Sequence, residues 1–256
     1  MAYVSFGKGC KAGGFNGADV SGIAASLPFA PEHVTAYETG VKSEWLDRAI
    51  RLNLALFRSD YRNLQVATNV NSGATFYSEV RNAASSRTQG IELETAWTPW
   101  ESVHLTANAT YDDARYIRYP NGIPNPFQAT AGQSVQDLSG RPTEYAPEWS
   151  GTLMGSYTLH LRGPVQLTSE VTGIFSSSYF IDGNDNPLLR QNSYAKLDAR
   201  LSLERADQSW AVDLIAKNLT NHDILIFGTE WPTSPGSTLA AKEETRNVGI
   251  QARFRW

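Results

Sequence analysis

The sequence has a single cysteine, Cys10, in 256 residues. A lone thiol excludes an internal disulfide and a cysteine-built metal site. No run of about 18 apolar residues occurs, which excludes a transmembrane helix. Positive charge is not in surplus: 22 Lys and Arg stand against 26 Asp and Glu, with no basic stripe, so nucleic acid is not an expected partner. Met1-Ala2-Tyr3-Val4-Ser5-Phe6 has neither a basic segment nor an apolar core, so it is not a signal peptide. Methionine is scarce too, with two against seven tryptophans. Tryptophan and tyrosine gather at membrane interfaces, where an apolar ring and a polar handle both find partners.

What is present is alternation. The chain closes on Val248, Ile250, Ala252, Phe254 and Trp256, interleaved with Asn247, Gly249, Gln251, Arg253 and Arg255. An apolar face, a polar face and an aromatic at the rim are what a strand of a transmembrane β-barrel requires. The same period of two recurs in Ile50–Leu56, Ile91–Trp97, Val103–Asp112, Trp149–Leu161, Lys196–Glu204 and Trp210–Lys217, and more weakly in Tyr3–Lys8, Tyr37–Trp45 and Val165–Phe180. With the last strand this makes about ten strands, each near the length that a tilted spanning strand needs. Mean hydropathy is −0.36, a value that suggests a water-soluble protein. Barrel strands spend only every second residue on lipid, so that average misleads.

The connections alternate in length. Residues 46–49, 98–101, 161–164 and 205–208 form tight turns. Residues 9–32, 68–86, 117–146, 182–192 and 218–244 are expected to be long loops rich in Gly, Pro and Asn. Short turns at one end and long loops at the other are the asymmetry of outer-membrane barrels, with the long loops extracellular. A compact soluble domain rarely carries so many long loops. The chain end then falls on the periplasmic side. With no linker or low-complexity tract, residues 1–256 read as one domain.

Catalytic and metal-binding constellations are weak. Glu38, Lys42 and Glu44 share one face of a strand, and Glu92 and Glu94 another. No nucleophile or oxyanion donor accompanies them, so paired charges lining a polar lumen are the expectation and an enzyme is not. His33, His104, His160 and His222 lack ligand spacing, so no metal ligand is assigned and no cofactor is expected. The glycines of residues 11–17 lack the Lys-Ser/Thr ending of a phosphate loop. The loop aromatics and cations are the better candidates: Tyr116, Arg118, Tyr119 and Phe127 in one loop, and Phe227 and Trp231 in the last. Aromatic residues and Arg anchor recognition surfaces, although an outer aromatic girdle draws on the same residues.

Several blocks, in order, resemble the TonB-dependent outer-membrane receptors: residues 3–16, residues 31–44, Phe57–Val66, residues 86–94, residues 217–221 and the closing Arg253-Phe254-Arg255-Trp256. The family's last strand usually ends in Phe, where this chain has Trp. The resemblance implies barrels of about 22 strands with a plugged lumen. It implies import of scarce nutrients, most often ferric siderophores, in the outer membrane of a Gram-negative bacterium. It also implies energy from the TonB complex acting on an amino-terminal box. Neither that box nor a plug domain is recognisable here. The chain is therefore expected to be a fragment, the carboxy-terminal part of the barrel. Val248, Ile250, Phe254 and Trp256 are, by the same resemblance, the terminal strand that the barrel-assembly machinery reads. The expected partners are thus a ferric siderophore or similar small ligand, the TonB complex through missing parts, that machinery, and outer-membrane lipid. A non-transporting structural or adhesin-like barrel that binds a partner through its loops is the alternative, with a soluble lectin-like domain third. The outermost strands should be left as open edges, or the sheet forced to close on itself.

Overall fold

A computed structural model describes residues 1–16, 28–72, 75–231 and 236–255. Ten long strands form one antiparallel sheet in sequence order, each hydrogen-bonded to the next. They are β1 (Ala2–Lys11), β2 (Glu32–Trp45), β3 (Ile50–Ser72), β4 (Thr75–Trp100), β5 (Val103–Arg118), β6 (Trp149–His160), β7 (Val165–Ser176), β8 (Tyr194–Arg205), β9 (Trp210–Lys217) and β10 (Asn247–Phe254). The sheet stays open, with β1 and β10 as its edges.

Register carries the alternation across the sheet. Val41 of β2 lies opposite Leu54 of β3, Leu54 opposite Leu93 of β4, and Leu93 opposite Ala109 of β5. Because paired residues share a face, these rows build one continuous apolar surface. It stays uncovered: Leu54 is 41%, Leu153 62% and Ile250 78% exposed. An exposed apolar band of this extent calls for lipid against it. Aromatics stand at both of its ends. Trp45, Trp97 and Trp100 lie near the short turns. Phe6 meets Tyr37 and Tyr111 meets Trp149 towards the long loops, with ring centroids 5.4 and 4.9 Å apart.

The other face is polar and internally paired. Tyr3 donates to Glu38 at 2.6 Å, and Asn53 to Glu94 at 3.1 Å. Arg51 reaches Glu44 at 3.4 Å, and Lys42 lies over the Tyr3 ring. Asp213, fully buried, takes Arg200 at 2.9 Å and Arg253 at 3.5 Å. The strand carboxylates singled out in the sequence are thus a lumen lining. Close approach explains one glycine among them: a Cβ on Gly90 would collide with the Tyr111 carbonyl oxygen and stand 2.9 Å from the Phe57 ring.

Three of the four tight turns fall where the sequence puts them; the one expected at residues 98–101 is displaced, because β4 continues to Trp100, which pairs with Val103 after a register shift, and the chain turns at residues 101–102. Leu46, Asp47 and Arg48 all have positive φ, and Gly163 and Gln208 supply the same conformation at two other turns. Four of the long loops differ from expectation. Residues 68–86 do not form one: β3 runs to Ser72 and β4 starts at Thr75, making a hairpin far longer than the roughly 10 residues that a membrane span uses. Its Asn and Ser content resembles a loop, but the ladder satisfies the backbone groups and β-formers such as Val66, Val70, Tyr77 and Val80 fill it. The ladder slips on either side of Leu64, where Asn63 adopts a left-handed φ of 54°. Within residues 117–146, β5 continues to Arg118 and Pro126–Thr130 form a short helix, α1, capped by Asn125 and Gln128. Residues 182–192 hold a 3₁₀ turn at Pro187–Leu189. Within residues 218–244, Leu225–Glu230 pair with Thr238–Lys242 as a hairpin.

Candidate functional site

Three long loops converge beyond the aromatic rim: residues 119–148, residues 177–193, and the described parts of the last, residues 218–231 and 236–246. They are bound to each other as well as to the sheet. Between the first two, Gln136 donates to the Asn184 carbonyl at 2.8 Å, and the Tyr145 N–H to the Phe180 carbonyl at 2.8 Å. Arg141 approaches Asp185 at 3.5 Å. Between the second and third, Glu230 accepts from the side-chain amides of Asn184 at 2.7 Å and Asn186 at 3.0 Å. The Leu225 N–H donates to Gln191 at 2.7 Å. Gly228 leaves room for Ile181 and Leu189, whose side chains would stand 2.5 and 2.7 Å from a Cβ there. The first loop also packs on the projecting hairpin, where Tyr116, Tyr119, Leu138 and Ala84 make a small core flanked by Leu64, Val66 and Ala83.

The junction is rich in carboxylates. Burial pushes the Asp182 carboxyl up to about 7; the Asn186 N–H opposes this, and nearby Glu230, Asp185 and Glu144 add to it. Burial also raises Glu144 and Asp185, the latter offset in part by Arg141. Asp182 Oδ2 and Asn184 Oδ1 are buried without a hydrogen-bond partner among the described residues. No group of three or more His, Cys, Asp and Glu is arranged to hold a metal ion among those residues. In the sequence, Asp182-Gly183-Asn184-Asp185-Asn186-Pro187 reads only as a run of turn formers. Its pairing with Glu230, over 40 residues away, left no local signal.

The candidate recognition residues fall into separate groups. Tyr116 lies at the end of β5 and Tyr119 just beyond it. They are 5% and 3% exposed and contact each other with centroids 5.1 Å apart, so both are absorbed into the loop core. Arg118 is exposed and lines a groove with Ile117 and Arg62. Phe127 on α1, Phe227 on the last hairpin and Trp231 just beyond its first strand are 57%, 50% and 52% exposed. None of these three rings contacts another ring among the described residues. Val248, Ile250 and Phe254 face outward on β10 at the sheet edge. Trp256 lies outside the described residues, as does part of the loop over residues 9–32.

An open antiparallel wall, apolar outside and polar inside, with tight turns at one end and interlocked loops at the other, is the architecture of an outer-membrane β-barrel. The family model "TonB dependent receptor-like, beta-barrel" matches residues 1–219, and the chain belongs to that family. The bacterial outer membrane is therefore its site. The ferric yersiniabactin uptake receptor FyuA from Yersinia pestis superposes with a TM-score of 0.75 at 20% identity, over 99% of this chain and 34% of that one. The siderophore receptor PiuA from Acinetobacter baumannii gives 0.67 at 19%, over 98% and 33%. These likenesses establish the fold. The metal-pseudopaline receptor CntO of Pseudomonas aeruginosa is 28% identical over 141 residues, 55% of this chain and 16% of that protein. The chain thus spans about a third of these solved structures and a smaller share of the curated relative.

Proposed function

We propose that this chain forms part of the barrel wall and extracellular mouth of an uptake receptor for a chelated metal, with a ferric siderophore as the first choice. Transport would be energised by TonB through parts of the protein outside this chain. The observation that carries the proposal is the interlocked loop assembly, with Phe127, Phe227 and Trp231 half-exposed on its loops. Exposed rings on a braced frame suit a bulky, partly aromatic ligand, because little ordering entropy is then lost on binding. The names of FyuA, PiuA and CntO support the ligand class. The role is capture and passage, not catalysis.

The open edges support placing the chain within a larger barrel. Unpaired N–H and C=O groups in hydrocarbon cost several kcal/mol each. On this proposal β1 and β10 pair with further strands, the chain is the carboxy-terminal part of the barrel, and the strand bearing Val248, Ile250, Phe254 and Trp256 engages the barrel-assembly machinery.

The test is uptake of radioactive iron presented as a panel of ferric siderophores to cells in which the whole receptor is the sole route. Trp231→Ala combined with Phe227→Ala should lower uptake several-fold at unchanged receptor level. Uptake equal to wild type for every complex that the wild type imports would remove these residues from the site. Import of none of the panel by the wild type would remove the siderophore assignment.

A further inference from the structure

Glycine weakens a strand, because it has the most backbone freedom to lose and offers no side chain for cross-strand packing. In the ten long strands one recurring contact offsets this: the side chain directly opposite in register lies over the glycine. On the inner face, the Tyr3 ring covers Gly40 and the Phe57 ring covers Gly90, with ring atoms 2.6 and 2.9 Å from where a Cβ would stand. Val34 covers Gly9 in the same way at 3.1 Å. On the outer face, Phe175 covers Gly151 at 2.7 Å, Leu105 covers Gly155 at 3.3 Å and Leu197 covers Gly173 at 3.6 Å. The cover comes from the preceding strand at Gly40, Gly90 and Gly155, and from the following strand at Gly9, Gly151 and Gly173.

Gly7 on β1 and Gly249 on β10 break the pattern. Among the described residues, no heavy atom lies within 4 Å of a Cβ built on either, chain neighbours apart. Opposite Gly7 stands Ala36, whose side chain is a single methyl. Opposite Gly249 stands Ile215, which does not reach it. Both glycines belong to the inner face. Gly7 shares parity with Tyr3, which donates to Glu38, and Gly249 with Arg253, which approaches Asp213. Both also lie on the two edges of the sheet. A strand residue has two lateral neighbours, and at these positions this chain's own strands supply only one.

We infer that the strands of the whole receptor that pair with β1 and β10 each carry an aromatic residue in register with Gly7 and with Gly249, its ring lying over the glycine on the inner face. Position gives the first argument. Every other glycine of the long strands is covered by the residue in direct register with it, so the cover belongs to an adjoining wall strand. Chemistry gives the second. A ring is broad enough to shield the bare peptide, and a phenol can still turn its hydroxyl to the polar lumen, as Tyr3 does over Gly40 by donating to Glu38. Such a ring also pins register, because a slip of one residue would carry it to the opposite face. Gly7 and Gly249 are then the sockets by which this part of the wall is joined to the rest. The inference rests on the reading that β1 and β10 pair with further strands, and it is independent of which nutrient the loops capture.

The experiment is the structure of the whole wild-type receptor, solved by electron cryo-microscopy, with alanine substitutions measured alongside. Ring atoms from the adjoining wall strands should lie within about 4 Å of the Cα atoms of Gly7 and Gly249. Adjoining strands that leave either glycine bare, or cover it with an aliphatic side chain or a group from inside the lumen, would overturn the inference. In urea unfolding of the whole receptor, Gly7→Ala and Gly249→Ala should each lower the folding equilibrium constant about tenfold, because the methyl is driven into the ring. Gly173→Ala, beneath Leu197 at ordinary contact distance, is the control and should change little. Unchanged or raised stability of the two edge variants would also overturn the inference. Where a variant fails to fold, the wild-type structure still decides. Finding β1 paired with β10 would overturn the larger-barrel reading as well. A missing ring on adjoining strands that do pair would leave that reading and the siderophore assignment standing.

Discussion

Asn184 donates its side-chain amide to Glu230 across 2.7 Å, joining two extracellular loops that are 46 residues apart in sequence. Asn186, itself fully buried, adds a second donor to the same carboxylate oxygen. One acidic side chain on the last hairpin therefore holds the preceding loop in place. Rigid loops of this kind present ligand-contacting rings in one arrangement rather than many.

Removing that acceptor should loosen the mouth without harming the wall. Glu230→Ala leaves two amides without their acceptor, a cost of about 1–3 kcal/mol for each group that stays buried. Limited proteolysis should show faster cleavage within residues 177–193, while heat-modifiable migration of the barrel stays as in the wild type. Equal cleavage rates would show that the pair does not brace the loops.

The same junction should respond to pH. The Asp182 carboxyl is raised from 3.8 to about 7 in the folded protein, first by burial and then by Glu230, Asp185 and Glu144. A group that holds its proton more tightly when folded contributes stability that is complete below about 3.8 and lost as pH rises through about 7. Hydrogen exchange in residues 177–193, corrected for intrinsic rates, should therefore be better protected at pH 5.5 than at pH 8. Asp182→Asn should flatten this dependence.

Charge on the outer wall should block assembly. Leu54 and Leu201 lie in the apolar band, each 41% exposed. Leu54→Arg and Leu201→Arg should each cost about 2–4 kcal/mol near the bilayer centre. Folded receptor in outer-membrane fractions should fall. Asn53→Arg, one residue away but facing Glu94 on the inner side, should assemble normally. Normal assembly of both leucine variants would reverse the assignment of faces.

Two strand glycines should separate on substitution. Gly90→Ala drives a methyl into the Tyr111 carbonyl and the Phe57 ring, whereas a Cβ at Gly173 of β7 would meet only ordinary contacts, 3.6 Å from Leu197 and 3.8 Å from the Leu153 carbonyl. Gly90→Ala should destabilise the barrel by about 1–3 kcal/mol in urea unfolding. Gly173→Ala should lie within about 0.5 kcal/mol of wild type.

Much of this protein was legible in the chain itself. Alternation at Ile50–Leu56, Val103–Asp112 and Val248–Phe254 determined the strands, their faces and the lipid-facing band, because side-chain direction in a strand depends only on parity. Three of the tight turns were legible for a similar reason: a two-strand connection of four residues leaves few conformations. Only the tertiary structure decided the fate of the loops. The hairpin over residues 68–86 hid behind Asn and Ser because its ladder, rather than its composition, satisfies the backbone. Tyr116 and Tyr119 read as loop aromatics, yet Leu138 and Ala84 bury them. The Glu230 junction and the covering of Gly90 by Phe57 join residues far apart in sequence, through bonds and registers that exist only once strands and loops are docked. Parity is a property of neighbours in the chain, and contact between distant loops is not.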